Sequence, residues 1–172
     1  MLVESGVDFI VVGSLVFSLK LKKVGSEDDI DVLCLSPDPV FEEDFYSSLA
    51  DERGWDYGRT WAGTPRLIPP GSVPLDVYGN FMEFEVPQEF MGELLTWRVK
   101  GVEFRSVNIE QNIVLKARGA LLNEKHKGDL SALAKKREIE YSEDKIIEYL
   151  GYYEKGVRRA MERILRETGI IS

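Results

Sequence analysis

Two aspartates separated by a single residue, Asp29 and Asp31, stand at the entrance to an apolar run over residues 30–35. Strand side chains alternate between faces, so a strand here puts both carboxylates on one side, within reach of a single ion. Paired carboxylates repel unless a cation lies between them. Hard divalent cations such as Mg²⁺ take oxygen ligands and keep positions for water and substrate phosphates. Taken alone, the pair also describes a solvated strand edge or an acidic turn. The dipeptide Gly13-Ser14 adds context, because it closes one apolar run and opens a helix. Backbone N–H groups and a hydroxyl then point beyond the strand end, where a phosphate is the natural occupant.

A third acid, Asp76, interrupts the apolar run over residues 73–78. A charge in a half-buried strand is costly unless it is paired or binds metal. An Arg partner or a solvent-facing position would also account for it. Lys116 flanks the stripe Ile109, Ile113, Ala117 and Ala120, whose spacing marks the buried face of a helix. Its stem can cross apolar surface and deliver the ammonium either to a cleft edge or to water. Asp129 follows Gly128 and reads as an acid of the site or as a cap of a helix over residues 127–136. His126 reads as solvent-facing in a turn, and Cys34 as a small core residue.

The elements that must position these groups are legible in outline. Residues 7–12 read as a buried strand, and Ser14 as the N-cap of a helix reaching about residue 23. Residues 24–26 form a turn into the second strand, and a helix over residues 41–50 stops at Gly54. Short strands and turns fill residues 55–74, with a further strand over residues 73–78 and a short helix over residues 88–96. A hairpin turns at Lys100-Gly101. After Asn108, a candidate N-cap, helices are expected over residues 109–123, 127–136 and 142–168, the last broken or kinked at Gly151 and Gly156. The expected fold is α/β (α+β): a mixed sheet flanked by helices over residues 1–108, followed by a helical region over residues 109–172 packed on it.

Composition narrows the classes of function. Hydrophobic residues make 44% and charged residues 30% of the 172-residue chain, as in a soluble globular domain. No apolar run approaches the ~18 residues of a membrane span, and no secretion signal opens the chain. The lone Cys34 makes neither an internal disulfide nor a thiolate metal cage, so a reducing cytoplasm is expected. Net charge is −8, with 18 acids and 6 bases in residues 1–97 but 12 acids and 16 bases in residues 98–172. This balance opposes indiscriminate duplex binding yet leaves room for a local basic surface. Two Gln and one His beside plentiful Lys and Glu hint at a thermophilic source.

Gly13-Ser14, Asp29-x-Asp31 and the later Asp76 together resemble the nucleotidyltransferase superfamily, the polymerase-β-like fold. The back half, with Lys116 in residues 109–117 and Asp129 in residues 127–130, looks most like the AbiEii-type toxin nucleotidyltransferases. The resemblance implies transfer of a nucleoside monophosphate from a nucleoside triphosphate to a hydroxyl on RNA (a tRNA end in related toxins), a protein or a small molecule. It implies Mg²⁺ or Mn²⁺ held by Asp29, Asp31 and Asp76, with Asp76 helping to take the hydroxyl proton. Gly13, Ser14 and Lys116 would hold the phosphates, and Asp129 would join the site. A cognate antitoxin is the implied partner. Phosphoryl chemistry of this kind needs no His or Cys nucleophile.

Two features support an alternative, a catalytically silent member of the fold that binds nucleotide, RNA or a partner. Val12 precedes Gly13 where many relatives carry a second Gly, and 14 residues separate Ser14 from Asp29. Trp55, Tyr57 and Trp61 beside Arg53, Arg59 and Arg66 read as a single-strand stacking surface or as packing across a sheet. The basic tail, Lys155 to Arg166 with interleaved Glu, reads as a solvated helix carrying a Glu162–Arg166 pair.

Overall fold

The computed structural model describes residues 2–23, 28–80 and 86–172. The turn expected at residues 24–26 lies outside them. Strands β1 (Asp8–Val11), β2 (Ile30–Ser36), β3 (Asp56–Arg59), β4 (Pro65–Ile68), β5 (Leu75–Tyr78), β6 (Leu95–Val99) and β7 (Val102–Ser106) form one mixed sheet. Their order is β3-β4-β5-β2-β1-β7-β6. The central strand β2 runs antiparallel to β1 and parallel to β5, and β1 runs parallel to β7. Antiparallel pairs β3–β4, β4–β5 and β6–β7 complete the two wings. Consecutive Val32, Leu33 and Cys34 are all buried, as a strand covered on both faces requires.

Six helices accompany the sheet among the described residues: α1 (Ser14–Leu21), α2 (Glu43–Arg53), α3 (Ile109–Gly119), α4 (Glu124–Lys136), α5 (Glu143–Leu150) and α6 (Lys155–Glu167). Helix α3 begins with a full capping box. Asn108 accepts from the Gln111 N–H, and the Gln111 side chain accepts from the Asn108 N–H. This helix packs against α1, α4, α5 and α6. Gln111, Asn112 and Lys116 are therefore buried along with Ile113 and Leu115, where the sequence showed only a stripe. One buried apolar cluster joins Ile10, Leu33 and Val77 of the sheet to Ile113, Leu130 and Met161 of the helices.

Several local expectations change. Gly13, not Ser14, occupies the N-cap position of α1, and no side chain caps it. The short helix expected over residues 88–96 is a 3₁₀ helix, Gln88–Glu93, that ends at Leu94 just before β6. The Gln111 side chain donates to the Phe90 carbonyl, which fixes this short form. The helix expected over residues 127–136 starts earlier, because Asn123 caps α4 by accepting from the Lys125 N–H. Asp129 consequently lies inside α4 and caps nothing, and His126 sits in its first turn rather than in a solvent-facing loop. The break in the last helical stretch falls at Gly151, whereas Gly156 lies within α6. In α6, Glu162 pairs with Arg158 at 2.7 Å instead of Arg166. No described helix is long and apolar enough to cross a membrane.

Candidate active site

The sheet register brings the acids together. Asp31 on β2 and Asp76 on β5 are partners in the parallel pair, and Arg66 on β4 is partner to Asp76 on its other side. Asp29 lies just ahead of β2, where the Ile30 N–H donates to the Pro74 carbonyl. On the far side of Asp31, its carbonyl accepts from the Val12 N–H at 3.1 Å, which sets Gly13 beside it. A row thus crosses four strands: Arg66, Asp76, Asp31 and the Gly13 turn. Asp29, Asp31 and Asp76 all line a cavity of about 230 Å³, together with Ser14, Arg66, Trp61, Lys116, His126 and Asp129.

Gly13 is needed here for two reasons. Its φ of 74° and ψ of −151° belong to a region that residues with a Cβ rarely enter. A Cβ at this position would also collide with the Asp31 carboxylate. Asn112 locks the turn from α3: it accepts from the Gly13 N–H at 2.9 Å and donates to the Gly13 carbonyl at 2.9 Å. The Gly13 N–H is therefore spent on Asn112. Exposed Ser14 lines the cavity.

Charge is arranged around these acids. Burial pushes the Asp31 carboxyl up to about 7, with the neighbouring Asp29 charge adding to the effect and Lys116 opposing it. Asp76 is raised too, by burial first, against the lowering pull of Arg66. One Arg66 nitrogen, Nη1, lies 2.8 Å from Asp76 Oδ2 and 3.9 Å from Asp29 Oδ2. Asp76 Oδ1 is buried and finds no hydrogen-bond partner among the described residues. Lys116, 4% exposed, pairs with Asp129 at 2.7 Å. Its ammonium is thus held at the cleft and does not reach out to water. Burial and the Lys116 cation push His126 down to about 4, so its imidazole is neutral.

Among the described residues, no three His, Cys, Asp or Glu side chains stand in an arrangement ready to hold a metal ion. Arg66 supplies the positive charge between Asp29 and Asp76 instead. The donor set itself suits a hard divalent cation: three carboxylates, one of them with a buried oxygen left unbonded. Of the residues singled out from sequence, Gly13, Ser14, Asp29, Asp31, Asp76, Lys116 and Asp129 all fall at this cavity or against it. Asn112 and His126 were missed. A polar amide beside the apolar stripe of α3 was the available signal for Asn112, but nothing local marked His126.

A mixed sheet with paired acids at the head of its central strand, a third acid on the adjoining parallel strand and a Gly-Ser turn beside them defines a nucleotidyltransferase-like protein. The antigenic nucleotidyltransferase-like protein from Paracoccidioides brasiliensis has the same fold, with a TM-score of 0.51 and 14% identity over 96% of this chain and 83% of its own. The chain belongs to the family described as Nucleotidyl transferase of unknown function (DUF2204), whose model matches residues 1–167. Two further structures align at lower scores. They are the antibiotic-resistance factor ANT(2'')-Ia (TM-score 0.47, 14% identity, 98% of this chain and 83% of its own) and a tRNA-processing enzyme solved with CTP (TM-score 0.38, 14% identity, 97% and 54%). No curated protein matches the sequence.

Proposed function

We propose that the protein is a divalent-cation-dependent nucleotidyltransferase that moves a nucleoside monophosphate from a nucleoside triphosphate to a hydroxyl acceptor. The observation that carries this reading is the shared register of Asp31 and Asp76 on adjacent parallel strands, with Asp29 two residues away. Asp29, Asp31 and Asp76 would hold Mg²⁺ or Mn²⁺, which supplies charge neutralisation at the transferred phosphate and the departing pyrophosphate. Arg66 has to leave the carboxylates for this, and its guanidinium is then free to pair with phosphate oxygens in a bidentate manner. The Ser14 hydroxyl and the N-terminal turn of α1 offer donors to the phosphates. Lys116, held on station by Asp129, adds a fixed cation at the same cavity. Asp76, already raised by burial, is the group suited to accept the acceptor's hydroxyl proton.

The Lys116–Asp129 pair, with its buried lysine, also accords with the resemblance to AbiEii-type toxins. An RNA acceptor such as a tRNA end is the corresponding proposal, with a cognate antitoxin as partner. The deciding experiment incubates the protein with each α-³²P-labelled nucleoside triphosphate, Mg²⁺ and total RNA, and repeats it with EDTA and with Asp29→Asn and Asp31→Asn. Cation-dependent labelling that both substitutions abolish supports the reading. If the unaltered protein shows no label transfer and no Mg²⁺-nucleotide binding, the reading fails.

A further inference from the structure

Trp61 is 58% exposed, yet it stands at a densely hydrogen-bonded turn. The β3–β4 connection closes with the Thr60 N–H donating to the Thr64 carbonyl at 2.8 Å and the Gly63 N–H to the Thr60 carbonyl at 3.0 Å. The two buried threonine hydroxyls bond each other at 2.8 Å, and the Thr64 N–H donates to Thr60 Oγ1. Arg59 donates from outside to the Gly63 carbonyl at 3.1 Å and pairs with Glu43 of α2 at 2.7 Å. Five contacts therefore hold a five-residue connection whose largest side chain is mostly exposed. An exposed indole costs favourable burial and gains nothing within the folded chain. Rigid presentation of such a ring is the arrangement that keeps the entropy cost of ligand capture low.

The indole also lines the cavity that holds Asp29, Asp31 and Asp76. Trp55 and Tyr57, its companions in the sequence, do not: Trp55 packs against the core, and the Tyr57 hydroxyl donates to Glu43 at 2.7 Å. The structure thus separates one aromatic from the other two and gives it to the site. We infer that Trp61 is the stacking platform for the nucleobase of the nucleoside triphosphate. The inference rests on the nucleotidyltransferase reading above and adds where the base goes. A π-face accepts any base, so this contact fixes the position of the nucleotide and discriminates weakly among A, G, C and U.

The test is calorimetric titration of the 172-residue chain, with Mg²⁺ present, by ATP and separately by inorganic tripolyphosphate, which carries the charge but no base. Trp61→Ala should weaken ATP roughly 5- to 100-fold and leave tripolyphosphate within about twofold, while Trp61→Phe should hold ATP within about fivefold. ATP should quench part of the tryptophan emission, and that part should vanish in Trp61→Phe, where Trp55 and Trp97 still report. An ATP affinity unchanged in Trp61→Ala overturns the inference, whatever happens to binding of a single-stranded oligonucleotide. Equal losses for ATP and tripolyphosphate overturn it as well, because the indole would then serve the phosphates or the fold. Absence of binding by the unaltered protein to either probe is a different failure, since it removes the nucleotidyltransferase reading itself.

Discussion

Asp76 gives one carboxylate oxygen to Arg66 at 2.8 Å and keeps the other buried with no hydrogen-bond partner among the described residues. The guanidinium is thus a counterion to Asp76 and, at 3.9 Å, to Asp29. Removing one member of such a pair strands the other, and the stranded charge dominates the cost. Arg66→Met should therefore destabilise the cation-free protein by about 2 kcal/mol at pH 8, below the full buried-pair figure because Arg66 is 29% exposed. Burial already raises Asp76, and losing Arg66 raises it further, so at pH 5 more of the carboxyl is neutral and the loss should shrink. Urea denaturation at the two pH values measures both. An equal loss at pH 5 and pH 8 would show that packing of the Arg stem, not charge, accounts for the effect.

Gly13 and Asp31 make a second dependence. Gly13→Ala must place a Cβ where Asp31 stands and adopt a backbone conformation that costs about 1–3 kcal/mol. It should lower the melting temperature and weaken Mg²⁺ binding together, since Asp31 has to move. Gly156→Ala is the matched control: it sits within α6 in open space, where the change should be neutral or stabilising by up to ~1 kcal/mol. If both substitutions behave alike in differential scanning calorimetry, the contact between Gly13 and Asp31 has no energetic weight.

The acid on β2 sets a pH dependence. Asp31 titrates near 7 in the folded chain against an ordinary 3.8. The folded state therefore holds this proton more tightly than the unfolded state. Its contribution is then full below about pH 4, declines as pH rises, and is gone above about pH 7. In EDTA, Asp31→Asn should match the unaltered protein near pH 4 and exceed it above pH 7, by as much as about 4 kcal/mol before screening by cleft water. Mg²⁺ should narrow that gap by stabilising only the protein that keeps the carboxylate. A gap independent of pH would sink the electrostatic account.

The same residues explain why the sequence was legible where it was. Asp29, Asp31 and Asp76 betray themselves because a charge at the edge or inside an apolar strand is conspicuous, and strand periodicity orients it. The capping box at Asn108 and the stops at Gly54 and Gly151 are local chemistry, readable at fixed offsets. Arg66 could not be assigned to Asp76, because strand order decides that neighbourhood and no local pattern encodes it. Asn112 is bonded to a residue 99 positions away. The start of α4 was misplaced because Asp129 and Gly128 resemble a helix opening, whereas Asn123 caps the helix first and carries Asp129 to the interior side. His126 changed character for the same reason.

The pair Lys116–Asp129 separates charge from geometry most sharply. The two partners are unequally placed, with Lys116 at 4% exposure and Asp129 at 34%. Deleting the lysine charge leaves a carboxylate that reaches water, whereas deleting the aspartate charge leaves an ammonium that does not. Asp129→Asn should therefore cost about 2–4 kcal/mol and Lys116→Met distinctly less, with the double variant recovering most of the Asp129→Asn loss. Nucleotide binding should follow the opposite order. Asp129→Asn retains the cation at the cavity and should lose less affinity than Lys116→Met, which removes it. Paired denaturation and calorimetric titration of the three variants give both rankings. If the two single variants rank the same way in stability and in affinity, Lys116 acts only through the fold and has no part in holding phosphate.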